Sequence, residues 1–330
     1  MSDSTIGRTV RAFLLVAAAA ATAAGCAGRK SDGRPQVGVT LLTQAHVFYQ
    51  DLQKGLQARA DSDGIDLHVV AGEWDLSRQT SQVENFITRK MDAIVIAPVN
   101  SSGIVSAVQE ANDAGIPVFT VDIAADGGHV VSHIASDNRQ GGRLLARYLA
   151  GRLGGHGNVA ILDQPTVTSV QDRVAGFREG LTGYPDIHVV ADPAVERGLR
   201  DVAKDKTDNL LATGKKIDAI FGSNDDCALG ALASVEASGR TGILIVGFDA
   251  TPEARSAIAR GTPLVADAVQ HPAEIGRRAI DVIARRLRGD SVPARVAVPV
   301  GIVTRDSLAA RGGAADGGAA AGSGAAGGRP

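Results

Sequence analysis

From Gln36 onward the chain repeats one pattern: a short apolar, largely β-branched run, then a longer stretch in which apolar positions recur every three to four residues. Val37-Gly38-Val39-Thr40, Leu67-His68-Val69-Val70, Ala93-Ile94-Val95-Ile96 and Pro117-Val118-Phe119-Thr120-Val121 predict four strands. Helices are predicted over 47–60, 78–90 and 103–114, the last closed by Gly115 and Pro117 as helix ends commonly are. After 130–135 the pattern starts afresh with Val159-Ala160-Ile161-Leu162, 187–190, Ala219-Ile220-Phe221 and Ile243-Leu244-Ile245-Val246. Strand–helix alternation favours a parallel sheet covered by helices on both faces. Two such sets joined near Ser136-Asp137 predict an α/β chain of two doubly wound parallel-sheet lobes. Ligands of such sheets sit beyond the carboxyl ends of the strands, which points to the cleft between the lobes.

The two ends read differently. Arg8 and Arg11 precede an apolar run that closes in Thr22-Ala23-Ala24-Gly25-Cys26, the layout of an export signal. The run is about 14 residues, short of the roughly 20 that a spanning helix needs. Ala23-Ala24-Gly25-Cys26 resembles the bacterial lipobox, which implies cleavage before a lipidated Cys26. Residues 1–25 are then a lipoprotein signal peptide and 26–35 a polar tether, so the working part is extracytoplasmic and held at the membrane. Residues 309–330 are a Gly/Ala-rich tail that cannot bury a core. Within it Gly322-Ser323-Gly324-Ala325-Ala326-Gly327 matches the dinucleotide fingerprint only formally, because no strand precedes it and no helix can follow.

Composition narrows the function. Net charge is -2 with mixed signs along the chain, so nucleic acid is excluded as a partner. The chain has two cysteines; with Cys26 acylated no intramolecular disulfide remains, and Cys227 in Asp226-Cys227-Ala228-Leu229-Gly230 reads as the buried face of a helix. No nucleophile elbow, His-Glu-x-x-His or calcium loop appears, so no catalytic residue, metal or cofactor is assigned. His129 and His133 are four apart but lie on or beside a strand, where that spacing does not converge.

The residues just past the strand ends share one chemistry: His46, Phe48 and Tyr49 after the first, Asp122 after the fourth, then Asn224, Phe248, Asp249 and Gln270. Carboxylates and amides suit vicinal hydroxyls, and aromatic faces cover the C–H patches of a sugar ring. Singly, each has a local explanation, since Asp and Asn at strand–helix junctions commonly cap the next helix. The case rests on their convergence.

Val131-Ser132-His133-Ile134-Ala135-Ser136-Asp137-Asn138, Asn224-Asp225 before Ala228-Leu229-Gly230-Ala231-Leu232, and Val246-Gly247-Phe248-Asp249 resemble the ribose-type periplasmic sugar-binding proteins that feed ABC transporters. The resemblance implies ligand contacts at His46, Phe48, Tyr49, Asp122, Arg173, Asn224, Phe248, Asp249 and Gln270; Arg173, read alone, is a surface helix arginine. It also implies a three-strand hinge near Ser136-Asp137, Gln270-His271 and Pro299-Val300. One lobe is then 36–136 with 271–299, the other 137–270 with 300–308. Where ribose binders have an arginine this chain has Ile123, and where they have an asparagine it has Ala97. Both changes remove donors and imply a hydroxyl pattern different from ribose.

The expected ligand is a neutral sugar or polyol, and the expected partner a membrane permease of the ABC type, served by a monomer. A sensor reporting a sugar-like or furanosyl signal to a membrane partner is the competing reading. A lactose-repressor-type regulator is disfavoured, because an export signal occupies the place of its DNA-binding helices. Cys26→Ser is expected to move an intact, ligand-competent protein from the membrane to the soluble fraction; loss of ligand binding in that variant would show that the anchor is not separate from the fold.

Overall fold

The computed structural model describes residues 33–310; the export signal, Cys26 and most of the tail lie outside them. The first sheet holds β1 (Gln36–Leu41), β2 (Asp66–Ala71), β3 (Ala93–Ile96), β4 (Val118–Val121), β5 (Val130–Ser136) and β11 (Arg295–Val298), in the order β11-β5-β4-β3-β1-β2. The second holds β6 (His156–Leu162), β7 (Asp186–Ala191), β8 (Ala219–Gly222), β9 (Leu244–Asp249), β10 (Leu264–Val269) and β12 (Gly301–Thr304), in the order β12-β10-β9-β8-β6-β7. All pairings are parallel except β10 with β12. The central strands β3, β4 and β8 are buried at every position. They read as continuous apolar runs because helices cover both faces.

The connecting helices are α1 (Val47–Asp63), α2 (Leu76–Thr88), α3 (Val105–Asp113), α4 (Asn138–Arg152), α5 (Thr168–Leu181), α6 (Arg200–Ala212), α7 (Asp225–Ala237), α8 (Pro252–Ala259) and α9 (Pro272–Leu287). Several start on side-chain caps that the sequence supplies at the strand ends: His46 Nδ1 accepts from Phe48 N–H, and Asn224 Oδ1 accepts from Cys227 N–H. Residues 305–310 are helical as well. Positions 309 and 310, expected in the tail, therefore continue a helix, started by the exchange of bonds between Thr304 and Ser307. Among the described residues no helix is long and apolar enough to cross a membrane.

The chain passes between the sheets three times, from β5 to α4, from β10 to α9 and from β11 to β12. The passages are tied together. Asp137 N–H donates to the Val298 carbonyl at 2.8 Å, Val300 N–H to Gln140 Oε1 at 3.1 Å, and Ser136 Oγ to Gln270 Oε1 at 2.7 Å. A second link crosses the cleft at its rim. Ser101, after β3, bonds the Thr166 carbonyl and accepts from Thr168 N–H, while Thr168 Oγ1 accepts from Ala124 N–H at 2.8 Å.

Helices α4 and α5 pack backbone against backbone. A Cβ at Gly142 would stand 2.2 Å from the Arg173 carbonyl oxygen and 2.6 Å from Phe177 N, and main-chain atoms cannot rotate away as a side chain would. Gly142→Ala is therefore expected to lower stability by about 2 kcal/mol, read as the shift in urea midpoint; an unchanged midpoint would mean that the two helices separate freely.

Candidate functional site

The carboxyl ends of both sheets face one cavity of about 70 Å³, room for about five waters. Of the residues predicted from sequence, His46, Phe48, Tyr49, Asp122, Arg173, Asn224, Asp249 and Gln270 line it. Phe248 does not. It is fully buried behind the wall, and the guanidinium carbon of Arg173 lies 4.0 Å above its ring centroid. Successive strand residues point to opposite faces, so Phe248 supports Arg173 from beneath while Asp249 reaches the cavity.

Arg173 is only 5% exposed, contrary to the surface position its helix alone suggested. Its Nε donates to Asn138 Oδ1 at 2.9 Å and its Nη1 to the Ser223 carbonyl at 2.8 Å, with Asp249 Oδ1 3.5 Å from Nη1. Asp249 Oδ1 also accepts from Gln270 Nε2 at 2.6 Å. Gln270 thus joins the cavity to the chain passages through Ser136.

Opposite, Tyr49 Oη donates to Asp122 Oδ2 at 2.7 Å, while Asp122 Oδ1 is buried without a protein partner. Burial pushes the Asp122 carboxyl up to about 6, against the lowering pull of Arg173 and of the Tyr49 hydroxyl. Burial, reinforced by Asp122, pushes the Tyr49 phenol well above its ordinary value, so it remains a donor. His46 Nδ1 is used by its cap, which leaves Nε2 to carry the hydrogen of the neutral ring. That nitrogen stands 3.9 Å from Asp226 Oδ2 and 3.9 Å from Asp249 Oδ2. Asn224 serves three ways: its oxygen caps α7, its Nδ2 donates to the Gly198 carbonyl at 3.1 Å, and it lines the cavity.

The sequence reading missed Trp74, Gln164 and Arg197 in the lining. Trp74 and Gln164 lie in the short stretches just past the ends of β2 and β6, so the rule that found the others marks them too. Arg197 sits in a short 3₁₀ turn, Glu196–Gly198, after β7 and carries no pattern of its own. Trp74 is the chain's one tryptophan. Its neighbour Glu73 accepts from Thr43 Oγ1 and Gln44 N–H, which holds the loop that presents His46. Ile123 lines the apolar side; Ala97 lies in the core. Cys227 is fully buried and burial pushes its thiol up to about 12, which fits packing and not reactivity. His133 pairs with Thr120, and among the described residues no cluster of ligating groups could hold a metal.

These shifts fix a pH dependence. Asp122 titrates near 3.8 when unfolded and about 6 when folded, so its contribution to stability is complete below the first value and lost as pH rises through the second. That loss approaches about 3 kcal/mol. Asp122→Asn, which keeps an acceptor for Tyr49, is expected to flatten the decline in Tm of the ligand-free protein between about pH 4 and pH 6 and to leave its Tm higher than the wild type's above about pH 6; a parallel decline in both proteins would locate the effect elsewhere.

The chain matches the family described as periplasmic binding protein domain over residues 37–291. The ribose import binding protein of Bacillus subtilis is 34% identical over 277 residues, covering 82% of this chain and 87% of that one. A xylitol-binding protein of Mycolicibacterium smegmatis is 32% identical over 260 residues, covering 78% and 74%. Among solved structures, an ABC transporter solute-binding protein of Bacillus halodurans with bound myo-inositol has a TM-score of 0.79 at 27% identity, covering 86% of this chain and 98% of that one. With two parallel-sheet lobes and this cleft, the chain belongs to the ribose-type periplasmic sugar-binding proteins of type I fold.

Proposed function

We propose that the chain is the extracytoplasmic solute-binding protein of an ABC importer and takes a neutral monosaccharide or small polyol in the cleft between its lobes. The observation that carries the ligand class is the pair of strand-end carboxylates in the cavity. Asp122 Oδ1 is buried with no protein donor, and a buried acceptor left unpaired costs about 1–3 kcal/mol. A ligand hydroxyl removes that cost. Asp249 Oδ2 faces the cavity beside the His46 Nε2–H, a donor and an acceptor that together suit a second hydroxyl.

The alternatives fit the lining less well. An acidic ligand would meet Asp122, Asp226 and Asp249, with Arg173 already engaged by Asn138, Ser223 and Asp249 and Arg197 at the margin the cation that remains against those three carboxylates. Phe48, Trp74, Val167 and Val170 offer apolar faces for C–H edges. The relatives' bound or named ligands, ribose, xylitol and myo-inositol, are all neutral and polyhydroxylated. The ligand closes the two lobes by binding the closed form better than the open one, and a permease reads that closed form. The protein works as a monomer tethered through a lipid on Cys26, which keeps it beside its permease.

A thermal-shift panel of ribose, xylitol, myo-inositol and the corresponding sugar acids tests the reading. Stabilisation by one or more neutral compounds is expected, with a Kd near micromolar, about -8 kcal/mol. Asp249→Ala should weaken that binding by about 2–3 kcal/mol in calorimetry. Stabilisation by the acids alone would sink the assignment.

A further inference from the structure

Behind the cavity wall lie two carboxyls that face no ligand. Asp225, the first residue of α7, is 2% exposed, and Asp267, in the middle of β10, is fully buried. Each spends one oxygen on the same short loop. Asp267 Oδ1 accepts from Ala250 N–H at 3.0 Å and Asp225 Oδ2 from Thr251 N–H at 2.6 Å. Because those two amides are successive, the carboxyls lie side by side, and the charge of Asp225 pushes the Asp267 carboxyl up. Their remaining oxygens, Asp225 Oδ1 and Asp267 Oδ2, are buried and find no protein donor. Two ionised carboxylates placed side by side repel one another; one proton between them replaces that repulsion with a hydrogen bond and satisfies both orphaned oxygens at once.

We propose that Asp225 and Asp267 share a single proton, Asp267 Oδ2–H donating to the Asp225 carboxylate, and that this pair is the positioning device that fixes the 249–251 loop and with it the Asp249 carboxylate. The loop needs fixing because its backbone is unfavourable for L-residues: φ is 127° at Asp249 and 55° at Ala250. Besides the pair, Arg255 holds it from α8, its Nε donating to the Ala250 carbonyl at 2.7 Å. Space for the protonated carboxyl comes from Gly247 on β9, opposite Asp267 in register, where a Cβ would lie 2.4 Å from Asp267 Oδ2.

The surroundings also decide which partner keeps the proton. Asp225 sits at the amino terminus of α7, where the helix favours negative charge. From β10, Asp267 has no such help. Asp249 at the end of β9 opposes charge on both, Asp226 and the neutral Cys227 thiol flank Asp225 on α7, and Arg173 reaches from α5 only as far as Asp249. Burial raises both carboxyls, Asp225 to about 6 and Asp267 well above its ordinary value.

That the loop matters to a ligand rests on the function proposed above; the shared proton does not, so the experiment uses ligand-free full-length protein. Infrared spectroscopy at neutral pH is expected to show the carbonyl band of a protonated carboxylic acid that survives Asp122→Asn and disappears in Asp267→Asn. Amide exchange at Ala250 and Thr251 should be as slow in Asp267→Asn as in the wild type, because the amide still bridges, and about tenfold faster or more in Asp267→Leu. No band in the wild type, or a band that persists in Asp267→Asn, overturns the shared proton. Unchanged exchange in a folded Asp267→Leu overturns the positioning role, and the infrared arm needs only the wild type and isosteric amide variants.

Discussion

The cleft is organised around one cation that has been taken out of water, the guanidinium of Arg173. A buried charge is tolerable only where its hydrogens are spoken for, and removing a partner from such a group costs about 3–5 kcal/mol. Asn138, the Ser223 carbonyl, the face of Phe248 and Asp249 meet that demand. They come from α4, the end of β8 and the end of β9, so satisfying one side chain brings three elements to fixed positions. Exposed pairs such as Lys204 with Asp208 are screened by water and place nothing. The same network reaches the chain passages, because Asp249 is held by Gln270 and Gln270 by Ser136.

This coupling bears on closure. The rim contact of Ser101, Thr168 and Ala124 and the ion pair of Arg295 with Asp172 at 3.4 Å join the two lobes directly. Each is worth roughly 1 kcal/mol or less, so together they bias the lobes toward one another without locking them. A ligand that bonds both Asp122 from one lobe and Asp249 from the other adds interactions that exist only when the lobes meet. That difference in affinity for the two forms is what shifts the population.

Much of this is legible in the sequence, and the reason is topological. In a parallel sheet every strand delivers its next residue to the same edge, so position after a strand predicts position in the cleft. His46, Asp122, Asn224, Asp249 and Gln270 are found that way, and Trp74 and Gln164 obey the same rule. Local and tertiary roles do not compete: Asn224 and His46 cap their helices and line the cavity, since a cap leaves the other end of the side chain free. Arg173 is not legible from pattern, because helical periodicity does not say which face meets a second helix closely enough to bury a charge. Phe248 falls on the wrong side of the wall, because sequence gives adjacency along the strand and not which of two neighbours turns inward.

The backbone carries a related signature. Trp74, Asp122, Arg197 and Asp249 all line the cavity and all have positive φ, between 58° and 127°. Such conformations cost roughly 1–2 kcal/mol each in a residue with a Cβ, so they persist only where neighbouring bonds over-determine them. Asp122 has the Tyr49 hydroxyl, Asp249 has Gln270 with Arg173, and the Trp74 turn has the bonds of Glu73 to Thr43 and Gln44. Arg197 has no side-chain bond of this kind and is exposed, although Asn224 grips the carbonyl of the next residue, Gly198. The cavity is therefore rigid at its two strand-end carboxylates, and loosest at the Arg197 side chain on its margin. A binding protein needs both, because recognition requires a fixed constellation whereas release requires some part of the wall to give way first.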